Sequence, residues 1–404
     1  MDKVTITKLD HFGRGITNIN DKICFIDKAL PNEECEIEIT NDKKNYQEGK
    51  LINIITKSDD RVIPDCPYYD LCGGCHLMHY DYSKQLEYKE NKVKELLSRF
   101  ASINDITIKP IIHGNNYNYR NKLTLHGVGN KIGLYQEKSN RLIEVDKCLI
   151  TSEKINNVVT RLKNYFTNDE DIKSITIKTT SLNEIMLVII GRVDANNFIN
   201  SFSDIDSIYL NNNLIHGKET ITETMNDLSF EIYPESFFQV NYQMMLEMYN
   251  KVINYYKDNT NLKVLDLYCG TGTIGMLIAK YCKEVIGVEV NKEAIESANK
   301  CKVKNNISNI SFYLGKVEDK IDLFKDIDSI VVDPPRSGLD KHTIETILNL
   351  KPNSIIYVSC DPVTLARDLN ILKEEYQILE VQPIDMFPNT YHVENVCILE
   401  RKSS

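Results

Sequence analysis

The chain has no apolar run long enough to span a bilayer, no basic-then-apolar leader, no internal repeat and no low-complexity tract. Those absences exclude a membrane-spanning helix, a cleaved secretory signal and a solenoid, and a cytoplasmic protein is the expectation. An excess of positive charge is lacking too: 48 Lys and Arg stand against 58 Asp and Glu, a net charge of −10. Coating of nucleic acid by bulk electrostatics is therefore excluded, whereas a local basic surface is not. Residues 61–150 reverse the balance mildly, with 13 basic against 10 acidic side chains. What is present is ordinary globular composition, 42% hydrophobic and 26% charged, over 404 residues. That length calls for two or three domains. Eleven cysteines favour thiol chemistry or a metal site over a disulfide framework in such a chain.

Three regions differ in pattern. Residues 1–57 read as five short strands with turn punctuation, among them V-T-I-T-K-L, K-I-C-F-I and E-C-E-I-E-I, and predict a small barrel of the OB type. Residues 58–234 read as an α+β middle domain. It holds a helix over 82–100, strands such as I-T-I-K-P-I-I, K-L-T-L-H-G and E-I-M-L-V-I-I-G, and one helix near 151–166. From residue 235 buried hydrophobic strands alternate with helices, the pattern of a doubly wound, mostly parallel sheet. The fold class is thus β followed by α/β.

In the third region V-L-D-L-Y-C-G-T-G-T-I-G (264–275) ends a strand and opens a helix. Gly270, Gly272 and Gly275 match the dinucleotide fingerprint, and Glu289 stands where a ribose hydroxyl would be held. Asp266 separates the readings. A carboxylate beside the loop repels a pyrophosphate but suits the amino group of S-adenosylmethionine, so a methyltransferase is favoured over a dehydrogenase. D-P-P-R at 333–336 follows the strand S-I-V-V, where two prolines hold the carboxyl edge of the sheet rigid.

The stretch Y-V-S-C-D-P (357–362) sets a cysteine at a strand end. Alone, Cys360 reads as a small buried hydrophobe. Beside a methyl donor it reads as a nucleophile, because uracil C5 attacks a methyl group only after a thiolate has added to C6. A helix N-terminus just beyond it is expected to favour the thiolate. Glu394, entering the last strand, is the candidate base, with His392 expected on the same face. Cys66, Cys72 and Cys75, with Cys148 far downstream, have spacing compatible with zinc or an iron–sulfur cluster, and spacing does not separate the two. Cys24, Cys35, Cys269, Cys282, Cys301 and Cys397 read as packing residues.

The set C-G-T-G-x-x-G, D-P-P-R-x-G, S-C-D-P-x-T-L-A-R-D-L and H-V-E resembles the uracil-C5 RNA methyltransferase family, and so do Phe238-Gln239-Val240-Asn241 and Tyr119-Arg120-Asn121-Lys122. The resemblance covers essentially the full chain. It implies Cys360 as nucleophile and Glu394 as base, with Gln239, Tyr268, Glu289 and Asp333 lining the cofactor and target pocket. It also implies a 4Fe–4S cluster on Cys66, Cys72, Cys75 and Cys148, with zinc as the alternative, and a TRAM-type RNA-binding barrel at the N-terminus. Barrel plus cluster resembles most the branch acting on 23S ribosomal RNA; transfer RNA is the second substrate. A monomer is expected. One departure stands at Lys316, where the family carries an acidic residue or Asn near the adenine. A non-catalytic RNA-binding protein is the rival from another class, and intact Cys360 and Glu394 argue against it.

Overall fold

The computed structural model describes residues 1–103, 106–167 and 170–403. The chain divides into two compact units, one of residues 1–93, 135–141 and 387–392, the other of 94–134, 142–386 and 393 onward. Among the described residues no helix is long and apolar enough to cross a membrane.

In the first unit β1 (Asp2–Thr5), β2 (Lys8–Leu9), β3 (Gly15–Ile19), β4 (Lys22–Ile26), β5 (Glu34–Asp42) and β6 (Tyr46–Thr56) form one sheet in the order β1-β5-β6-β4-β3-β2. The run V-T-I-T-K-L, expected as one strand, is two. Ile6 N bonds Glu33 O while Thr7 N bonds Ile16 O, so the backbone changes partner in mid-run. Alternation in K-I-C-F-I turns Cys24 and Ile26 inward to a core with Ile6, Ala29, Cys35 and Ile37. Three register shifts between β5 and β6 coil this pair, as bulges do. Glu33 is buried and fully engaged: Leu30 N donates to it at 2.8 Å, and the Arg61 guanidinium at 2.5 and 2.8 Å. Helix α1 (Tyr82–Ala101) follows.

The second unit opens with the strands β7 (Lys122–Val128), β8 (Lys131–Tyr135), β9 (Leu142–Ile143), β10 (Asp171–Thr179), β11 (Ile185–Arg192), β12 (Ser207–Leu210) and β13 (Asn213–Gly217), ordered β13-β12-β11-β10-β7-β8-β9. Helix α2 (Glu153–Tyr165), capped by Ser152, lays Ile155, Val158, Val159 and Leu162 on this sheet, the spacing of one helical face. A further helix, α3 (Ala195–Ser201), was not expected from the sequence. It is two turns long, too short for a clear period, and it adds Phe198, stacked on Phe202 at 4.4 Å, to the same core. The hairpin β14 (Ile221–Met225) and β15 (Leu228–Ile232) completes this part.

The rest of the unit alternates helix and strand. The elements are α4 (Tyr242–Asp258), β16 (Lys263–Leu267), α5 (Thr273–Ala279), β17 (Glu284–Glu289), α6 (Lys292–Lys304), β18 (Ile310–Leu314), α7 (Val317–Lys320), β19 (Ser329–Val332), α8 (Lys341–Leu350), β20 (Ser354–Ser359), α9 (Pro362–Leu372), β21 (Tyr376–Ile384) and β22 (Glu394–Arg401). The strand order is β18-β17-β16-β19-β20-β22-β21, and β22 alone runs antiparallel to its neighbours. The segment I-T-I-K-P-I-I, expected in the middle sheet, lies instead along β21. Lys109 N bonds Val381 O and Ile112 N bonds Pro383 O, both at 3.0 Å, which covers an otherwise open sheet edge.

Candidate active site

Beyond β16 the chain turns sharply through Tyr268 (φ +62°), Gly270 (φ +54°) and Gly272 (φ +74°). A tyrosine in the left-handed region is held there by its surroundings, and burial raises its phenol to about 12. At Gly272 a Cβ would lie 2.5 Å from the Phe312 ring, so glycine is required for space as well as for φ. Gly275 N donates to Asp266 Oδ2 at 3.0 Å, and a Cβ there would press on that oxygen at 2.9 Å. Asp266 is fully buried and its Oδ1 has no partner. Burial pushes its carboxyl up to about 8, with Asp333 and Glu289 adding to the shift. An orphaned acceptor beside a glycine turn fits the cationic amino group of S-adenosylmethionine. Glu289 ends β17 and is fastened by Gly270 N at 3.1 Å and Asn291 N at 2.8 Å, the position of a ribose-binding carboxylate. Gln239 is buried, and its carbonyl accepts from Asn121 Nδ2 at 3.1 Å. Lys316 caps the short α7, and its neighbour Gly315 bonds Glu289 O at 2.9 Å.

Strand pairing brings the candidate nucleophile and base to one end of the sheet. In the antiparallel pairing of β20 with β22 the last partners are Ser359 and Asn395. Cys360 and Glu394 are the next residues along the two chains, and the Cys360 thiol stands in the field of the Glu394 carboxylate. Glu394 is 4% exposed, and no protein group hydrogen-bonds its carboxylate among the described residues. Burial, with Asp333 adding and Arg336 opposing, pushes it up to about 8. Asp333 ends β19, its N bonded to Leu267 O at 3.4 Å, and burial raises its carboxyl to about 7. Asp361 caps α9 through Val363 N at 2.8 Å, with Pro362 at the first turn, as the sequence implied.

The expected thiolate setting is corrected by these neighbours. Burial first, then Glu394 and Asp333, push the Cys360 thiol up to about 12, and Arg336 alone opposes them. The helix N-terminus is present, but burial and the two carboxyl groups leave the thiol raised. His392 is corrected as well. β22 begins at Glu394, so the strand period does not reach back to His392, whose ring packs on Tyr391 and Phe387 at 4.2 and 5.9 Å. Tyr249 on α4 was missed: its phenol is buried in the field of Asp333, Asp266 and Glu394. It sits on the apolar face with Met245, Met248 and Val252, so the sequence showed only a core position.

The tail of the cysteine motif ties the two edge loops together. Thr364 Oγ1 donates to Arg336 O at 3.2 Å. Arg367 Nη2 reaches Ser337 O and Leu339 O at 2.9 and 2.8 Å. Buried Asp368 accepts from Leu339 N at 2.8 Å and from the Tyr357 hydroxyl at 2.7 Å. The motif spacing is thus the reach of α9 back to the D-P-P-R loop.

Cys66, Cys72 and Cys75 share one loop of the first unit, all half-buried, and Gly74 N points to Cys72 Sγ at 3.4 Å. Cys148 belongs to the second unit, its N and O held by the Asn156 side chain at 2.8 and 3.1 Å. Soft donors of this kind suit iron or zinc. Among the described residues, however, no group of three or more His, Cys, Asp or Glu is gathered as a metal site, and no chemical step is assigned to one. Of the cysteines expected to pack, Cys24, Cys35, Cys282, Cys301 and Cys397 are buried and Cys269 is half-buried.

A parallel sheet with a reversed strand inserted near one edge, a glycine turn over its centre and a ribose-directed glutamate define an S-adenosylmethionine-dependent methyltransferase fold. Residues 81–402 match the tRNA (uracil-5-)-methyltransferase family model, and residues 3–52 match the TRAM domain. The chain belongs to that family: it is an S-adenosylmethionine-dependent RNA (uracil-C5)-methyltransferase. It is 35% identical to an uncharacterised RNA methyltransferase of Halalkalibacterium halodurans, over 99% of this chain and 97% of the relative. A Clostridium tetani counterpart is 37% identical over 98% of this chain and 95% of its own. Among solved structures, the Pyrococcus abyssi tRNA (uracil-54, C5)-methyltransferase in complex with S-adenosyl-L-homocysteine superposes with a TM-score of 0.80. It is 27% identical, covering 98% of this chain and all of that one.

Proposed function

We propose that the enzyme methylates C5 of a uridine in 23S ribosomal RNA through a covalent adduct, with Cys360 as nucleophile and Glu394 as base. The observation that carries this reading is that β20 and β22 end their pairing at Ser359 and Asn395, next to Cys360 and Glu394, whose side chains share the field of Asp333. S-adenosylmethionine supplies the methyl group and a positive sulfonium. The thiol gives its proton to solvent, favoured by the exposed Arg336, and the resulting thiolate sulfur bonds C6. The displaced π pair makes C5 nucleophilic, and the C5–methyl bond forms as the sulfur–methyl bond breaks. Glu394 then takes the C5 proton, the C5=C6 bond re-forms and Cys360 leaves as thiolate. Asp266, Glu289 and the Gly270–Gly272 turn hold the cofactor, with Gln239, Tyr268 and Asp333 lining the pocket. The target base leaves its stack to reach the thiol.

RNA carrying 5-fluorouridine tests the reading, because fluorine at C5 cannot be removed as a proton. The enzyme should be trapped as a denaturation-resistant adduct, lost in Cys360→Ala; an adduct that survives in that variant overturns the nucleophile. Transfer RNA is the second substrate, favoured by the likeness to the Pyrococcus abyssi enzyme. Comparing methylation of unmodified 23S ribosomal RNA and transfer RNA transcripts decides between them. The working division is a barrel over 1–57, a middle domain over 58–234 and a methyltransferase domain from 235, acting as a cytoplasmic monomer. Cys66, Cys72, Cys75 and Cys148 are proposed to hold a 4Fe–4S cluster. Protein purified without oxygen should be brown and contain iron; colourless zinc-loaded protein overturns that assignment.

A further inference from the structure

The motif Tyr119-Arg120-Asn121-Lys122 is bonded to the segment that carries Gln239. Asn121 N donates to Val240 O at 2.9 Å, Asn121 Nδ2 donates to Gln239 O, and Arg120 pairs as an antiparallel bridge with Asn241. Asn241 caps α4 and reaches Met386 O at 3.2 Å. Backbone bonds therefore account for the motif's scaffolding role, and they do not use its two cationic side chains.

Those side chains stand in an arrangement a scaffold alone would avoid. Lys122 on β7 lies directly opposite Lys178 on β10, a like-charge pair across an antiparallel ladder. Lys178 has a structural use: it is 5% exposed and its Nζ donates to Tyr233 O, Pro234 O and Ser236 O at 3.0, 2.6 and 3.1 Å. This fastens the turn leading to Gln239. Lys122 and Arg120 have no such use. Both are half-buried; neither ammonium nor guanidinium has a hydrogen bond or ion pair among the described residues, and Arg120 Nε is buried without a partner. Burial and Arg120 hold Lys122 below the usual lysine range, and burial and Lys122 push Lys178 down to about 7. The exposed Glu235 is the acid that opposes both shifts, and it pairs with neither. Two partly desolvated cations, Arg120 and Lys122, with one loose counter-charge hold an unspent attraction for an anion.

We infer that Arg120 and Lys122 form a phosphate subsite that grips the backbone of the RNA substrate beside the Gln239 segment. The inference rests on RNA being the substrate, not on which RNA it is. The guanidinium provides a two-pronged donor and the ammonium a point charge, the usual division of labour on a phosphodiester.

The test measures binding of a fluorescent single-stranded oligouridylate to the full-length enzyme across a salt series, for Lys122→Gln, Arg120→Gln and the charge-keeping Lys122→Arg. Each Gln variant should weaken binding about tenfold and flatten the salt dependence by about one unit of slope. Lys122→Arg should keep both. S-adenosylmethionine binding should not change. Lys122→Gln should also raise the melting temperature, because it relieves the Lys178 repulsion; loss of binding with gain of stability is a signature that a structural lysine does not give. Unchanged affinity and slope in folded Lys122→Gln overturn the subsite, as does a lower melting temperature with no change in slope. Equal displacement of the oligonucleotide by inorganic phosphate at matched ionic strength would also overturn it, since the site would then take a free anion. Methylation of RNA by the wild type, measured in parallel, reports on the proposed function separately.

Discussion

The buried carboxylate of the barrel and those of the catalytic sheet edge are treated in opposite ways. Glu33 is sealed from solvent and accepts hydrogen bonds from Leu30 N and from both arms of Arg61. Asp266 and Glu394 are buried and Asp333 is half-buried, and among the described residues their six oxygens accept one hydrogen bond, from Gly275 N, with Arg336 the cation that opposes the rise of Glu394. A scaffold satisfies its buried charges, whereas a site that waits for a cationic cofactor and a proton leaves them unsatisfied. The unsatisfied set is a cost to the fold that ligand binding removes.

The comparison can be broken most directly at the reacting pair. Cys360→Ala and Glu394→Gln should each lower methyl transfer by about a thousandfold or more, read as incorporation of labelled methyl groups. Neither should lower the melting temperature, because neither group is hydrogen-bonded in the way Glu33 is. In the barrel the sign reverses. Arg61→Met leaves Glu33 buried and unpaired, and should cost about 3–5 kcal/mol of stability in denaturant unfolding. A smaller cost would mean that Leu30 N and water suffice for Glu33.

Asp266→Asn sharpens the contrast. It should weaken S-adenosylmethionine binding at least tenfold in calorimetry, and yet stabilise the ligand-free protein by about 1–2 kcal/mol. A destabilised Asn variant would show Asp266 to be structural. The pH dependence is the smallest effect. All three carboxyls have folded pKa values raised above the unfolded ones, so the native state holds protons that the unfolded chain has released. Their contribution to stability is present in full below about pH 4 and is lost as pH rises through 7 to 8. Melting temperature should therefore fall across that window, less so with S-adenosylmethionine bound. With Glu394 as the proposed base, kcat/KM should rise with pH towards about 8, where its carboxyl ionises.

Much of the fold and most of the site were legible in the residues because their signals are local. The Gly270–Gly275 turn needs glycine for φ and for space, Asp361-Pro362 is a helix start, and strands buried on both faces read as unbroken apolar runs. Where the expectations missed, the deciding partner was far away in sequence. V-T-I-T-K-L breaks because Ile6 and Thr7 bond different strands, and I-T-I-K-P-I-I joins β21 because that edge needed covering. His392 sits two residues before a strand whose start the pattern did not mark. Tyr249 has the spacing of any core residue, and only the sheet beneath it supplies the carboxyl groups.

By itself the sequence determined which chemistry is available: a methyl-donor turn, and a thiol and a carboxylate at strand ends. The tertiary structure decided which groups meet and in what state. Antiparallel pairing of β20 with β22, not any local motif, brings the Cys360 thiol into the field of Glu394. The same burial that brings them together raises the thiol and the acids away from their ordinary pKa values, against the thiolate that the helix start alone implied. Spacing along a chain specifies side chains and turns, but dielectric and charge neighbours arise only when distant strands pair.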